Sequence, residues 1–175
     1  MNITADSAPG WLPSITQEQQ VLKRTGDYFS ALDKEQYQQA YAMMAEINRQ
    51  TQPLEQFIRQ NHEFHEQSGP LIERRILKVT WTKDPADAPF PGVYAAVDIA
   101  ARFGNVDRYC GYVVLYQRPL GADFQVMREE RNFIDNASAE KIIQQQSRAA
   151  LDSNWAALSA YCPNYEATAS PASAP

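Results

Sequence analysis

Near residue 70 the spacing of apolar residues changes, and no other feature of the chain limits its fold as strongly. Upstream they recur every third or fourth position, as one face of an α-helix requires; downstream they recur every second, as a strand with one buried face requires. From Thr16 to Leu32, residues Val21, Leu22, Tyr28, Phe29 and Leu32 mark an amphipathic helix with Thr16 as N-cap and a weak point at Gly26. Asp33 is a suitable cap for a second helix through Met44, whose Tyr37, Tyr41 and Met44 share a stripe. Pro53 suits the first turn of a third, running through Leu54, Phe57, Ile58 and Phe64 to a stop at Ser68-Gly69-Pro70.

Beyond that stop, 72–82, 93–103, 106–117 and 124–134 alternate, with turn signals at Pro89–Gly92, Gly104-Asn105 and Pro119–Asp123. Four successive strands joined by short turns form an antiparallel meander. Ser138 then caps a helical stretch to about Tyr161, with a break near Asp152-Ser153 and Pro163 forbidding further extension. Helices followed by consecutive strands predict an α+β domain: three N-terminal helices packed on a curved four-stranded antiparallel meander, with a C-terminal helical extension. One domain over 16–161 is expected, between an irregular arm at 1–15 and a flexible Pro/Ala/Ser tail at 162–175.

Composition narrows the partners. A net charge of −5 gives no basic stripe for a phosphate backbone, so nucleic acid is not expected. No run approaches the roughly 20 apolar residues that span a bilayer. The opening "MNITADSAPGWLP" has no signal-peptide character and suits a start codon placed after a removed signal, so a periplasmic or secreted location is expected, with the cytoplasm as alternative. Cys110 and Cys162 are expected to pair in an oxidising compartment; the competing reading is two separately buried thiols.

"NHEFHEQSGP" holds both histidines, His62 and His65, three residues apart, whereas the zincin motif needs four to stack both imidazoles on one face. A solvated helix end is the better reading, and neither metal nor cofactor is expected. The central hairpins offer a stronger candidate. A two-residue turn at Gly104-Asn105 sets Asp98 opposite Gly111, and a four-residue loop at 119–122 sets Gly111 opposite Glu130 and Val113 opposite Arg128. Asp98, Arg128 and Glu130 would then surround the gap left by a glycine, with Tyr94 or Tyr109 as hydrogen-bond donor. That is a ligand-binding constellation; its bland counterpart is a set of cross-strand ion pairs on a solvated face.

The stretches "YFSALDKEQYQQAY", "SGPLIERRILKV", "FPGVYAAVDIAARF" and "GADFQVMREERNFI" give residues 20–135 a resemblance to the bacterial Domain of Unknown Function 4019 family. That resemblance implies a cystatin-like or nuclear-transport-factor-like fold and a small periplasmic or secreted domain, without an established activity. The expected function is therefore non-catalytic binding of an unknown protein partner or small molecule, with a homodimer through Trp155 and Leu158 of the C-terminal helix as one form. The alternative is a small-pocket acid/base enzyme of isomerase, dehydratase or hydrolase type using carboxylates on the sheet.

Overall fold

The computed structural model describes residues 2–5, as backbone, and 10–162. The elements in chain order are β1 (Asn2–Ala5), α1 (Ile15–Asp33), α2 (Tyr37–Ala42), α3 (Glu46–Thr51), α4 (Leu54–Ser68), β2 (Leu71–Lys83), β3 (Val93–Phe103), β4 (Val106–Gln117), β5 (Gln125–Asp135), α5 (Asn136–Gln145) and α6 (Arg148–Ser159). The fold is α+β: helices precede a four-stranded antiparallel meander, β2 to β5, and two helices follow it. Sheet order equals sequence order, and β1, within the segment expected to be irregular, runs parallel to β2 along Lys78 to Trp81. The tail expected at 162–175 lies, beyond Cys162, outside the described residues.

Local chemistry places the boundaries. The cap of α1 is Ser14 rather than Thr16: its Oγ accepts from the Gln17 backbone N–H at 3.2 Å while the Gln17 side chain accepts from the Ser14 N–H at 2.9 Å. Asp33 ends α1 instead of starting α2, because the chain turns through Glu35 at φ 55° and α2 begins at Tyr37. The N-terminal region also holds a fourth, one-turn helix, α3, with no buried residue and hence no apolar stripe to detect. At the other end Asp135, not Ser138, caps α5 by accepting from the Ser138 N–H at 2.8 Å. The break in the last helix falls at Gln146-Ser147, where Ser147 Oγ caps α6 by accepting from the Ala150 N–H at 3.1 Å.

Both faces of the sheet are used. The inner face packs Val79, Trp81, Val97, Ile99, Val113, Leu115 and Val126 against Val21, Tyr28 and Phe29 of α1 and Phe57 of α4. On the outer face Cys110 and Ile134 pack with Ala139 of α5, Leu151 and Trp155 of α6, and Cys162. Cys110 and Cys162 form a disulfide, and Arg108 Nη2 reaches Asp152 at 2.6 Å, so a covalent and an ionic tie both fasten α6 to β4. Trp155 is thus spent inside the chain, while half-buried Leu158 lines an open groove between β5 and the last two helices.

Removing the bridge is expected to loosen this end first. Closing a 52-residue loop restricts the unfolded chain by about 4 kcal/mol in the chain-entropy account. Cys162→Ser is accordingly expected to lower stability by about 2–4 kcal/mol in denaturant unfolding, with amides of α6 losing hydrogen-exchange protection before those of β3.

Candidate functional site

The polar centre of the molecule lies between α1, α4 and the inner face of the sheet. It exists because of a register that the hairpin arithmetic misses by one. Beyond the β4–β5 loop, Tyr116 pairs with Gln125 and Leu115 with Val126, but Val114 pairs with Arg128, leaving Met127 as an extra, bulged residue. The bulge is held from outside the sheet. Val126 donates to Met43 O and accepts from Ala45 N, and Asn48 Nδ2 donates to Met127 O. The β3–β4 turn is one residue looser than expected, so Asp98 faces Tyr112 and Ile99 faces Gly111. Its backbone donors are drawn away, Gly104 N–H to Pro70 O at 2.9 Å and Asn105 N–H to Ser68 O at 2.9 Å.

One residue of slip exchanges faces. Gly111 lies opposite Arg131 rather than Glu130, and Val113 opposite Glu129 rather than Arg128. Glu130 and Arg128 therefore share the outer face with Asp98 and Tyr94, and of the expected constellation only Tyr109 faces the helices. Arg128 and Glu130 pair at 3.3 Å with side chains 62% and 34% exposed, a solvated contact. Tyr94 donates to Phe90 O and packs on Tyr116 with ring centroids 4.9 Å apart. Asp98 is buried, in register between Lys78 and Tyr112.

Inside, Glu129 and Arg131 form a half-buried ion pair, Oε1 to Nε at 3.3 Å. Tyr28 of α1 donates to Glu129 Oε2 at 2.7 Å, and Arg131 donates to Asn61 Oδ1 of α4 at 2.9 Å while lying 4.5 Å over the Phe64 ring. Arg74 of β2 grips Asp33 through both guanidinium nitrogens, at 2.5 and 3.0 Å, with Phe29 stacked 4.4 Å beneath. Of the adjacent arginines, Arg74 thus takes a helix carboxylate and Arg75 pairs with Glu73 at 3.3 Å on the outer side. Tyr109 lies across Gly111; a Cβ there would stand 2.8 Å from its hydroxyl and 2.6 Å from Glu130 O. Burial, then the nearby Glu129 carboxylate, pushes the Tyr28 and Tyr109 phenols well up. The centre encloses about 40 Å³, against the roughly 300–1,000 Å³ of clefts that take a drug-sized ligand.

The two histidines share one carboxylate. Glu35 lies 3.3 Å from His62 Nδ1 and 3.6 Å from His65 Nε2, and Tyr37, whose phenol is pushed up to about 12 by burial and then by Glu35, points at the same carboxylate.

The two halves of the Arg128–Arg131 segment are expected to respond oppositely to mutation. Glu129→Ala, which leaves half-buried Arg131 without its carboxylate and Tyr28 without its acceptor, should cost about 1–3 kcal/mol, whereas Glu130→Ala should stay within about 0.5 kcal/mol in the same denaturant titration. Gly111→Ala is expected to cost about 1–3 kcal/mol through its contact with backbone oxygen. A raised folded-state phenol pKa stabilises fully below the unfolded value near 10 and is lost as pH climbs toward the folded value. Stability should therefore fall above about pH 10, and the fall should be shallower in Tyr28→Phe, as read by phenolate absorbance during unfolding.

A family model described as a protein of unknown function, DUF4019, matches residues 24–127, more than half of the chain. No curated protein and no solved structure matches.

Proposed function

The chain belongs to the DUF4019 family, and from that premise we propose that it is a non-catalytic periplasmic or secreted domain that binds a protein partner or small ligand at its rim rather than in its interior. The observation that carries this reading is the contrast in space. The interior cleft is filled by two ion pairs and encloses about 40 Å³, while a groove of about 680 Å³ opens at the end of the sheet where the β4–β5 loop meets the start of α1. Trp11, Thr16, Gln20, Arg118 and Leu120 line that groove, and Leu12 and Ile15, the sequence neighbours of Trp11 and Thr16, are 75% and 74% exposed. Leu120 is fully exposed at φ 71°, a backbone state costly for a leucine and held by its place between Pro119 and Gly121. Exposed aliphatics on a constrained loop suit recognition better than stability.

The Cys110–Cys162 bridge supports the proposed location, because disulfides persist in oxidising compartments. A long helix laid across one face of a sequentially ordered antiparallel sheet supports a cystatin-like or nuclear-transport-factor-like fold. A homodimer through α6 would rest on Leu158, since Trp155 is buried. The second reading, an acid/base enzyme of isomerase, dehydratase or hydrolase type, now rests on Glu129, the sheet carboxylate that faces the interior beside Tyr28 and Tyr109.

Isotope-labelled full chain titrated with divalent metals, short-chain acids and short peptides separates the two. Rim binding is expected to move the amide resonances of Trp11, Gln20 and Leu120, with the response lost in Leu120→Ser. Saturable shifts confined to Tyr109, Gly111 and Arg131, with turnover abolished by Glu129→Gln, would replace this reading with the enzymatic one.

A further inference from the structure

Within the interior cluster, two buried polar atoms are left without a hydrogen-bonding protein partner, and a phenol hydroxyl shares their cavity. Glu129 Oε1 lies at ion-pair distance from Arg131 Nε, but the two are not aligned for a hydrogen bond. Arg74 directs both terminal nitrogens at Asp33, which leaves its Nε–H unmatched. Tyr109 is 6% exposed and lines the same cavity, with its hydroxyl lying across Gly111. All three side chains line the same cavity of about 40 Å³. Orphaned buried polar atoms are rare in folded proteins, because each has lost its hydration without gaining a partner. Two around one cavity, with the Tyr109 hydroxyl beside them, point to a bound group.

The chemistry of that group follows from what it must satisfy. Tyr109 O–H and Arg74 Nε–H are donors, and the upward-shifted phenol keeps its proton; Glu129 Oε1 is an acceptor. The occupant must accept twice and donate at least once. Charge is excluded from both sides: Asp33 and Glu129 balance Arg74 and Arg131, so an anion meets the Glu129 carboxylate and a cation meets two guanidinium groups. The size admits a head of very few heavy atoms. Phe29, Leu32, Phe64 and Phe103 supply the apolar part of the lining.

We propose that this cavity is a built binding site for a neutral hydroxyl group, which accepts from Tyr109 and Arg74 and donates to Glu129. Water is its smallest occupant and the hydroxyl of a small alcohol its organic one. Gly111 belongs to the design, since only a residue without Cβ lets the Tyr109 hydroxyl cross its strand. The site is independent of the rim groove and stands whether or not that groove binds anything.

The test turns on the sign of one substitution. If the Tyr109 hydroxyl were unpaired, Tyr109→Phe would remove a desolvated polar atom and raise Tm. If it holds a hydroxyl ligand, the same change is expected to lower Tm by about 2–4 °C. Two spectroscopic arms on the full chain identify the source. A resident water is expected to give long-lived water-to-protein cross-peaks at Gly111 and Tyr109 in the native protein, absent in Tyr109→Phe. A small organic hydroxyl is expected to give saturable shifts at the same residues on titration with ethylene glycol, also absent in the variant. Absence of both signals, or a Tm that rises in Tyr109→Phe, overturns the site.

Discussion

A single bulged residue, Met127, decides which half of Arg128-Glu129-Glu130-Arg131 faces the helices. Without it, Leu115–Val126 pairing continued along β5 would turn Glu130 and Arg128 inward, and Tyr28 and Asn61 would meet the wrong partners. With it, Glu129 accepts from Tyr28 and Arg131 donates to Asn61, so that α1 and α4 are each tied to the same edge strand. The bulge is a long-range feature: its anchors are Met43 and Ala45 in the connection between α2 and α3 and Asn48 in α3, roughly eighty residues earlier.

This explains how far the site was legible. The segment "REER" reads the same in either direction, and each face receives one arginine and one glutamate whichever register holds. Alternation alone therefore announces a charged pair inside without naming it. What would have named it is packing: α1 offers Tyr28 and α4 offers Asn61 at positions their own stripes bury, and polar side chains on buried stripes need polar partners. The gap at Gly111 was legible as a gap, while its neighbours depended on two register offsets, each of one residue, that arise from hydrogen bonds outside the hairpins. The fold class was more robust, because the change of period at Gly69-Pro70 survives errors of register. Helix caps lay between: Ser14, Asp135 and Ser147 all hold cap-forming side chains, but so do their neighbours Thr16, Ser138 and Ser153, and only geometry chooses.

A half-buried Glu–Arg pair is a poor way to gain stability. The desolvation of both charges offsets most of their attraction, and a well-packed apolar pair often does as well. Its contribution here is better sought in specificity. An apolar residue at 129 or 131 would tolerate the alternative register that Arg128 and Glu130 permit, whereas a carboxylate that must meet Tyr28 and a guanidinium that must meet Asn61 do not. Arg74 and Asp33 act similarly at the mouth of the cleft, fixing the end of α1 over β2, and the stacking of Arg74 on Phe29 makes that contact apolar as well as ionic.

The division of labour between the two faces follows from these ties. The inner face is committed to α1 and α4 through the ion pairs and the aromatic cluster of Phe64, Phe103 and Phe133. The outer face near Cys110 is committed to α5 and α6 through the disulfide and the Arg108–Asp152 pair. What remains uncommitted is the end of the sheet bearing the β4–β5 loop, where Leu12, Ile15 and Leu120 face solvent. A loop that sits between strands anchored on both faces can hold a strained, exposed leucine without loss of the fold, because the bulge at Met127 and the pairing of Tyr116 with Gln125 fix its two stems. The rigidity invested in the interior thus sets the geometry of an open groove whose rim carries the fully exposed Leu120.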